Sequence, residues 1–218
     1  MNNPDTSSFA VAILNTIGLE SLKDWLFSEL AMYWVAALIL FPFFSLLMSV
    51  DQLISERNRG GLRFLVLRSY RQSIFIGRFL GHLAIQGIFI SLTLCITYVF
   101  IFLNASDSVM KAITILPIIF INLLIVTIPF IALMSFFSVI MKSVVMAYIM
   151  VFVFYLSAKF IIYSVPLLTW VKYAIPGYQL TEMMSQSPQF ALMLLWLPIL
   201  QGVGLLLLGF SLFKRLEL

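Results

Sequence analysis

The sequence predicts an all-α polytopic membrane protein, with about five transmembrane helices and an amphipathic helix ahead of them. Three observations carry that expectation. Charged residues make up only 10% of the 218 and hydrophobic ones 62%, whereas a soluble domain holds roughly 25% charged residues. Mean hydropathy is +1.09. Charge-free runs cover residues 30–50, 79–106, 112–141 and 183–213, and a fifth, 143–171, is interrupted only by Lys159. A hydrocarbon core of ~30 Å takes about 20 apolar residues of helix to cross, because backbone polar groups find no water there. Every run reaches that length.

Two regions are expected: an external amphipathic segment at 1–30 and a transmembrane domain at 31–218. MNNPDTSS at the N-terminus lacks the basic region of a secretory signal. From Ser8 onward Phe9, Ile13, Ile17, Leu22, Trp25, Leu26 and Leu30 recur at helical spacing, but Glu20, Lys23, Asp24 and Glu29 make the run too polar to span. It suits a helix lying in the membrane interface, or one packed on the outer surface of the protein.

The expected spans are 31–53, 79–103, 112–141, 144–168 and 190–213. Pro42 should kink the first. The third, as one straight helix, would be about 45 Å long, and Pro117 and Pro129 give it places to bend or break. Between the fourth and fifth lies 169–189, aromatic and broken by proline, which reads as short external helices. Cys95 reads as a buried small side chain. His82, the single histidine, reads as a polar residue at a helix end, with no partner ligand at metal spacing.

The segment from Asp51 to Gly81 is different in kind. It holds Arg57, Arg59, Arg63, Arg68, Arg71 and Arg78 against Asp51 and Glu56, a balance of +4 that equals the formal charge of the whole chain. Such an island between apolar runs must lie at a membrane surface. Gly60 and Gly61 allow a sharp turn. Leu62 to Ile76 can then run as one helix, with Leu62, Leu65, Leu67, Ile74 and Phe75 facing protein or lipid. Glu56 and Arg57 can pair with each other or cap the helix at the membrane exit. With the 54–78 loop cytoplasmic, that side also collects Lys142, Lys214 and Arg215, and the other side keeps Lys23, Lys111, Lys159 and Lys172. The positive-inside bias then puts the N-terminus outside and the C-terminus inside.

The island also has a recognisable text. Ser55-Glu56-Arg57-Asn58-Arg59-Gly60-Gly61-Leu62, then Leu65 and Leu67, then Gly77-Arg78-Phe79-Leu80-Gly81, resembles the type-2 ABC exporter permeases. The resemblance implies that 54–78 is a cytoplasmic loop carrying a coupling helix that docks on an ATPase subunit. Glu56, Arg57, Arg59, Gly60, Gly61, Leu62, Leu65, Arg68 and Arg71 would form that contact. It further implies two ATPases with two permease chains, identical or not, in a bacterial inner membrane. Phe213-Lys214-Arg215-Leu216-Glu217-Leu218 looks like the basic ending of the family, and 163–189 falls where family members place short external helices. Gly61 stands where threonine is usual and Ser69 where proline is common. Members of the family usually have six spans. Here the first is expected to be absent, replaced by the amphipathic helix, or supplied by a partner.

The motifs exclude several classes. No G-x-x-x-x-G-K-[ST] occurs, so ATP and magnesium belong to the partner subunit and this chain needs no cofactor of its own. H-E-x-x-H, G-x-S-x-G and an intramembrane aspartate pair are all missing, which argues against a membrane-embedded enzyme. Nothing points to nucleic acid or to a metal. The methionines read as packing. Gln86, Asn122 and Lys159 are candidates for a translocation path, with Gln52, Thr127, Ser135 and Gln201 as further polar groups within spans. Helix–helix hydrogen bonding is the commoner use of such groups, and snorkelling toward the nearer surface is the simpler reading of Lys159. A permease subunit coupled through 54–78 is the expected function, and a non-transporting anchoring or assembly subunit the alternative.

Overall fold

The computed structural model describes residues 28–51, 53–104, 109–164 and 171–215. Most of the expected amphipathic segment, together with Gln52 and Leu216 to Leu218, lies outside the described residues. The regular elements among the described residues are all helices: α1 (Ser28–Ser49), α2 (Ile54–Asn58), α3 (Gly61–Arg68), α4 (Arg71–Asn104), α5 (Val109–Ile140), α6 (Val144–Ser164), α7 (Leu180–Met184), α8 (Pro188–Ala191) and α9 (Trp196–Arg215). Five stretches built on α1, α4, α5, α6 and α9 are long and apolar enough to cross a membrane.

A helix that is apolar all round belongs in the middle of a bundle, and α5 takes that place. It packs against α1, α4, α6 and α9. From Phe130 to Val139 only Phe136 escapes full burial. Its hydroxyls are satisfied within the helix: Thr127 donates to the Leu124 carbonyl at 2.7 Å, Ser135 to Ile131 and Ser138 to Ser135, both at 2.8 Å. Such back-bonding to the preceding turn is how a serine or threonine becomes tolerable inside an apolar helix. α6 is the opposite case. Only 17% of its apolar window is buried, and Phe152 and Phe160 face outward.

Three prolines lie within helices without interrupting them. Pro42 lies inside α1, and Pro117 and Pro129 lie inside an uninterrupted α5. At 32 residues α5 is about 48 Å long, so it must tilt or project beyond the core. Two other expectations change. Cys95 is exposed on α4, because α4 contacts protein on only one side. His82 lies well inside α4, half-buried, since that helix starts at Arg71 rather than near residue 79.

α9 approaches α5 closely through glycines seven residues apart, on one face. A Cβ at Gly202 would overlap Ile128 Cγ2, and one at Gly209 would sit 3.0 Å from Phe75 Cζ and 3.4 Å from the Phe136 Cα. Side chains that would hold the helices apart are missing where the backbones meet.

At the end away from the island, the irregular chain from Val171 to Leu195 folds against the bundle instead of lying loosely on it. Pro176, Gln179, Met183 and Pro188 are buried. Four of the five spans lend this segment a donor. Trp34 Nε1 reaches the Met183 carbonyl at 3.1 Å, Asn122 Nδ2 the Pro188 carbonyl at 3.0 Å, and Tyr155 Oη the Pro176 carbonyl at 3.1 Å. Gln201 Nε2 reaches the carbonyls of Tyr173 at 2.7 Å and Ile175 at 3.1 Å. Short helices and turns leave carbonyls unbonded, and beside lipid protein must satisfy them, as these side chains do.

Gly209→Val should lower the apparent Tm of the purified chain by several degrees, because overpacking against a backbone costs about 1–3 kcal/mol. Gly204→Ala, where a Cβ meets nothing within 4 Å, should leave it unchanged. Equal melting of both variants in a detergent thermal-shift assay would refute the close approach.

Candidate functional site

The arginine island builds a compact structure at one end of the bundle. Asp51 starts it: its Oδ1 accepts from the Ser55 amide at 2.9 Å and its Oδ2 from the Ser55 hydroxyl at 2.7 Å, which fixes the first turn of α2. Gly60 then reverses direction with φ +73. A side chain there would have room, since a Cβ meets nothing within 4 Å. The requirement is therefore on the backbone, where L-residues lose about 1–2 kcal/mol. Gly61 opens α3 without a positive φ, so only the first glycine of the pair is demanded by geometry.

Leu62 to Ile76 is not one helix. α3 ends at Arg68, Ser69 is extended at φ −142 and ψ 150, and α4 begins at Arg71. A serine whose amide still bonds to Leu65 at 2.9 Å stops the helix where proline is usual in the type-2 permeases. The break gives α3 two faces. Leu62, fully buried, and Leu65 pack inward on Leu53, Ile74, Phe75, Val139 and Phe213. Phe64, Leu67 and Tyr70 turn outward, 73%, 83% and 85% exposed, beside exposed Arg59 and Arg68. Leu67, expected to face protein or lipid, lies on the outer face because it follows Leu62 by five residues, off the i, i+3, i+4 stripe.

Glu56 and Arg57 do not pair with each other. Glu56 forms an ion pair with Arg78 of α4, a half-exposed contact of about 0–1 kcal/mol. Arg57 reaches across the chain. Its guanidinium donates to the Val139 carbonyl at 2.8 Å and to the Met141 carbonyl, while Asn58 Nδ2 donates to the Lys142 carbonyl at 3.0 Å. The last carbonyls of a helix have no donor within it, and a cation is favoured there by the helix dipole. α2 is thus the C-terminal cap of α5. Arg71 does the same for α9, donating to the Lys214 carbonyl at 3.0 Å, and Phe75 stacks on Phe213 with centroids 5.8 Å apart.

The residues expected at the site therefore divide. Arg59 and Arg68 face outward. Glu56, Arg57 and Arg71 are fastened to α4, α5 and α9. Gly60 is the turn, Gly61 the start of α3, and Leu62 and Leu65 its anchor. Phe64, Tyr70 and Asn58 were not singled out from the sequence. A helical wheel over 61–68 would have found Phe64; nothing short of the tertiary contact would have found Asn58.

The three candidates for a translocation path occupy separate places. Gln86 lines a pocket between α1 and α4. Asn122 is buried and bonded to the Ile118 and Pro188 carbonyls. Lys159 is exposed on α6, five residues from its end. Lys172, at the same end of the bundle, lies 4.9 and 5.3 Å from the ring centroids of Tyr173 and Tyr178. The Tyr178 hydroxyl, followed by Tyr173, holds its ammonium above the ordinary lysine value.

Five helices of spanning length, with a positive and partly apolar surface helix tied to the ends of three of them, define an integral membrane protein with a structured segment at one end of its bundle. The model of the family described as ABC-2 family transporter protein matches residues 3–218. The chain belongs to that family: it is a membrane component of an ABC transporter, a permease subunit rather than a catalytic one. A comparison with curated proteins returned no match.

Gly60→Val should destabilise the island by about 1–2 kcal/mol and expose it to limited proteolysis between Arg57 and Arg71. Gly61→Ala should cleave like the wild type. Identical cleavage rates for Gly60→Val and the wild type would remove the special role of the left-handed turn.

Proposed function

We propose that α3 docks on a separate ABC ATPase subunit and that α2 and the start of α4 pass its displacement to the spans. The two-faced form of α3 is the observation that carries this reading. Its inner leucines anchor it to the ends of α4, α5 and α9, and its outer Phe64 and Leu67, with Tyr70 just after it, are bare beside Arg59 and Arg68. An apolar centre with a basic rim suits an acidic-rimmed protein groove. ATP with magnesium, bound by the partner, would close a pair of ATPases and pull on α3. Arg57 and Asn58 would carry that pull to the end of α5, Glu56 to α4, and Arg71 to α9. The energy is the differential affinity of ATP for the two states of the assembly. A second permease chain would complete the transporter, with the island and the C-terminus cytoplasmic, the N-terminus outside, and export as the direction of movement in a bacterial inner membrane.

The test is recovery of the ATPase with the tagged chain from its native membrane in mild detergent. Leu67→Glu combined with Arg68→Glu should reduce the recovered Walker A protein at least about tenfold, equivalent to roughly 1.4 kcal/mol or more, with membrane insertion intact. Recovery equal to wild type would refute docking through α3.

Transmission has its own readout. In a Cys95→Ser background, a cysteine at Lys142 should change its labelling rate when ATP and magnesium are added to the purified complex. Arg57→Ala should abolish that change while the ATPase still co-purifies. An ATP response that persists in Arg57→Ala would refute the α5 connection. A docked ATPase with no response even in the parent chain would favour the anchoring-subunit reading.

A further inference from the structure

We propose that the groove between α6 and α9 binds an anionic glycerophospholipid, with one acyl chain along the helices and the phosphate at the ammonium of Lys172. The groove holds about 440 Å³, within the roughly 300–1,000 Å³ of small-molecule sites. α6 forms one wall from Phe154 to Ile161 and α9 the other from Leu200 to Leu208, and Val171 and Tyr173 line the end away from the arginine island. α6 packs on α5 rather than on α9. α9 in turn presents no side chain at Gly204, where a Cβ would meet nothing within 4 Å. Leu200 and Leu208 are 65% and 56% exposed, so the groove opens sideways, to the bilayer.

The chemistry of the occupant follows from the two parts of the site. Along the helices the lining is apolar except for Ser157 and Gln201, and both are engaged. The Ser157 hydroxyl donates to the Phe154 carbonyl at 2.9 Å, and the Gln201 amide to the carbonyls of Tyr173 and Ile175. These walls run for about 12 Å of helix and suit hydrocarbon rather than an ion. At the end of the groove the chemistry changes. Lys172 adjoins the lining residue Tyr173, and its ammonium lies 4.9 Å from that ring's centroid and 5.3 Å from that of Tyr178. Both are within the ~6 Å of a cation–π contact, so the rings already hold their cation. No carboxylate among the described residues meets it, and the charge left to match is positive. A basic side chain at the water end of an apolar groove between spans suits an anionic head group. A choline head brings its own ammonium and matches this end less well. Lys159 does not serve the groove: it lies about 150° round α6 from the middle of the face formed by Phe154, Ser157, Ala158 and Ile161.

The site does not rest on the docking reading, and its test needs no ATPase. The full chain in phosphatidylcholine nanodiscs is irradiated with phosphatidylglycerol or phosphatidylcholine bearing a diazirine at the same acyl carbon, and labelled peptides are quantified by mass spectrometry. On residues 154–161 and 200–208 the phosphatidylglycerol probe should label at least about threefold more than the phosphatidylcholine probe, the scale of one solvent-open ion pair. Lys172→Gln should remove that preference, and Lys159→Gln should keep it. Gly204→Leu, which fills the groove, should also remove it. These two changes act on opposite parts of the site, so one that fails to fold leaves the other decisive. A preference that survives in folded Lys172→Gln or Gly204→Leu overturns the proposal. Equal labelling by the two probes in the wild type does so too, leaving ordinary boundary lipid. Loss of the preference in Lys159→Gln, or its competition by inorganic phosphate, also overturns it, the first as general attraction and the second as an ion site without a chain.

Discussion

The last carbonyls of α5 have no donors of their own, and the way they are satisfied shapes this end of the molecule. α5 packs against the four other long helices, and its last carbonyls are met by donors from another part of the chain. Arg57 and Asn58 reach it from α2, 82 and 84 residues earlier in the chain. That placement needs α2 to sit under α5, which in turn needs Asp51 to start α2, Gly60 to end it and Leu62 to hold α3 against Phe213. Remove the cap and the reason for the arrangement is gone.

The opposite end solves the same problem with other residues. There the backbone in need is the irregular segment from Val171 to Leu195, and the donors are Trp34, Asn122, Tyr155 and Gln201, one from each of four spans. The hydrophobic effect does not drive helix association within lipid, so packing and polar contacts carry more of the load. This bundle places its inter-element hydrogen bonds mainly at its two ends and keeps the middle apolar and close-packed through Gly202 and Gly209. An end that is bonded to several helices moves them together. Force applied to α3 therefore reaches α4, α5 and α9 at once, whereas α6, largely open to lipid, has less protein to push against.

Much of this was legible in the sequence. Helix class, the number of spans and the charged island follow from composition and from the length of apolar runs, because lipid punishes every exception. The start of the second span was not legible. Arg71 and Arg78 look like loop residues by charge, yet both belong to α4, since an arginine at a helix end can project past the membrane surface and bond to Lys214 or Glu56. Of the bend or break that Pro117 and Pro129 offered, the break does not occur: α5 runs through both prolines, since neighbouring helices can hold it continuous. The sites themselves divided along one line. Gly60, Leu62 and Arg68 announce themselves through local pattern, while the partners of Arg57 and the isolation of Gln86 exist only once distant helices meet.

Gln86 makes the general point about polar groups in this bundle. Hydroxyls at Thr127, Ser135 and Ser138 cost little, because each can bond to the turn before it. A glutamine is too long to do this easily, and an amide left without partners deep in a span costs on the order of 1–3 kcal/mol. Gln201 avoids that cost by donating to a backbone that needs it, and Asn122 does so with its amide nitrogen alone, its Oδ1 having no partner among the described residues. Gln86 does not, although Tyr33 and Thr93 pair close by. Leucine at that position would fit the hydrocarbon surroundings better.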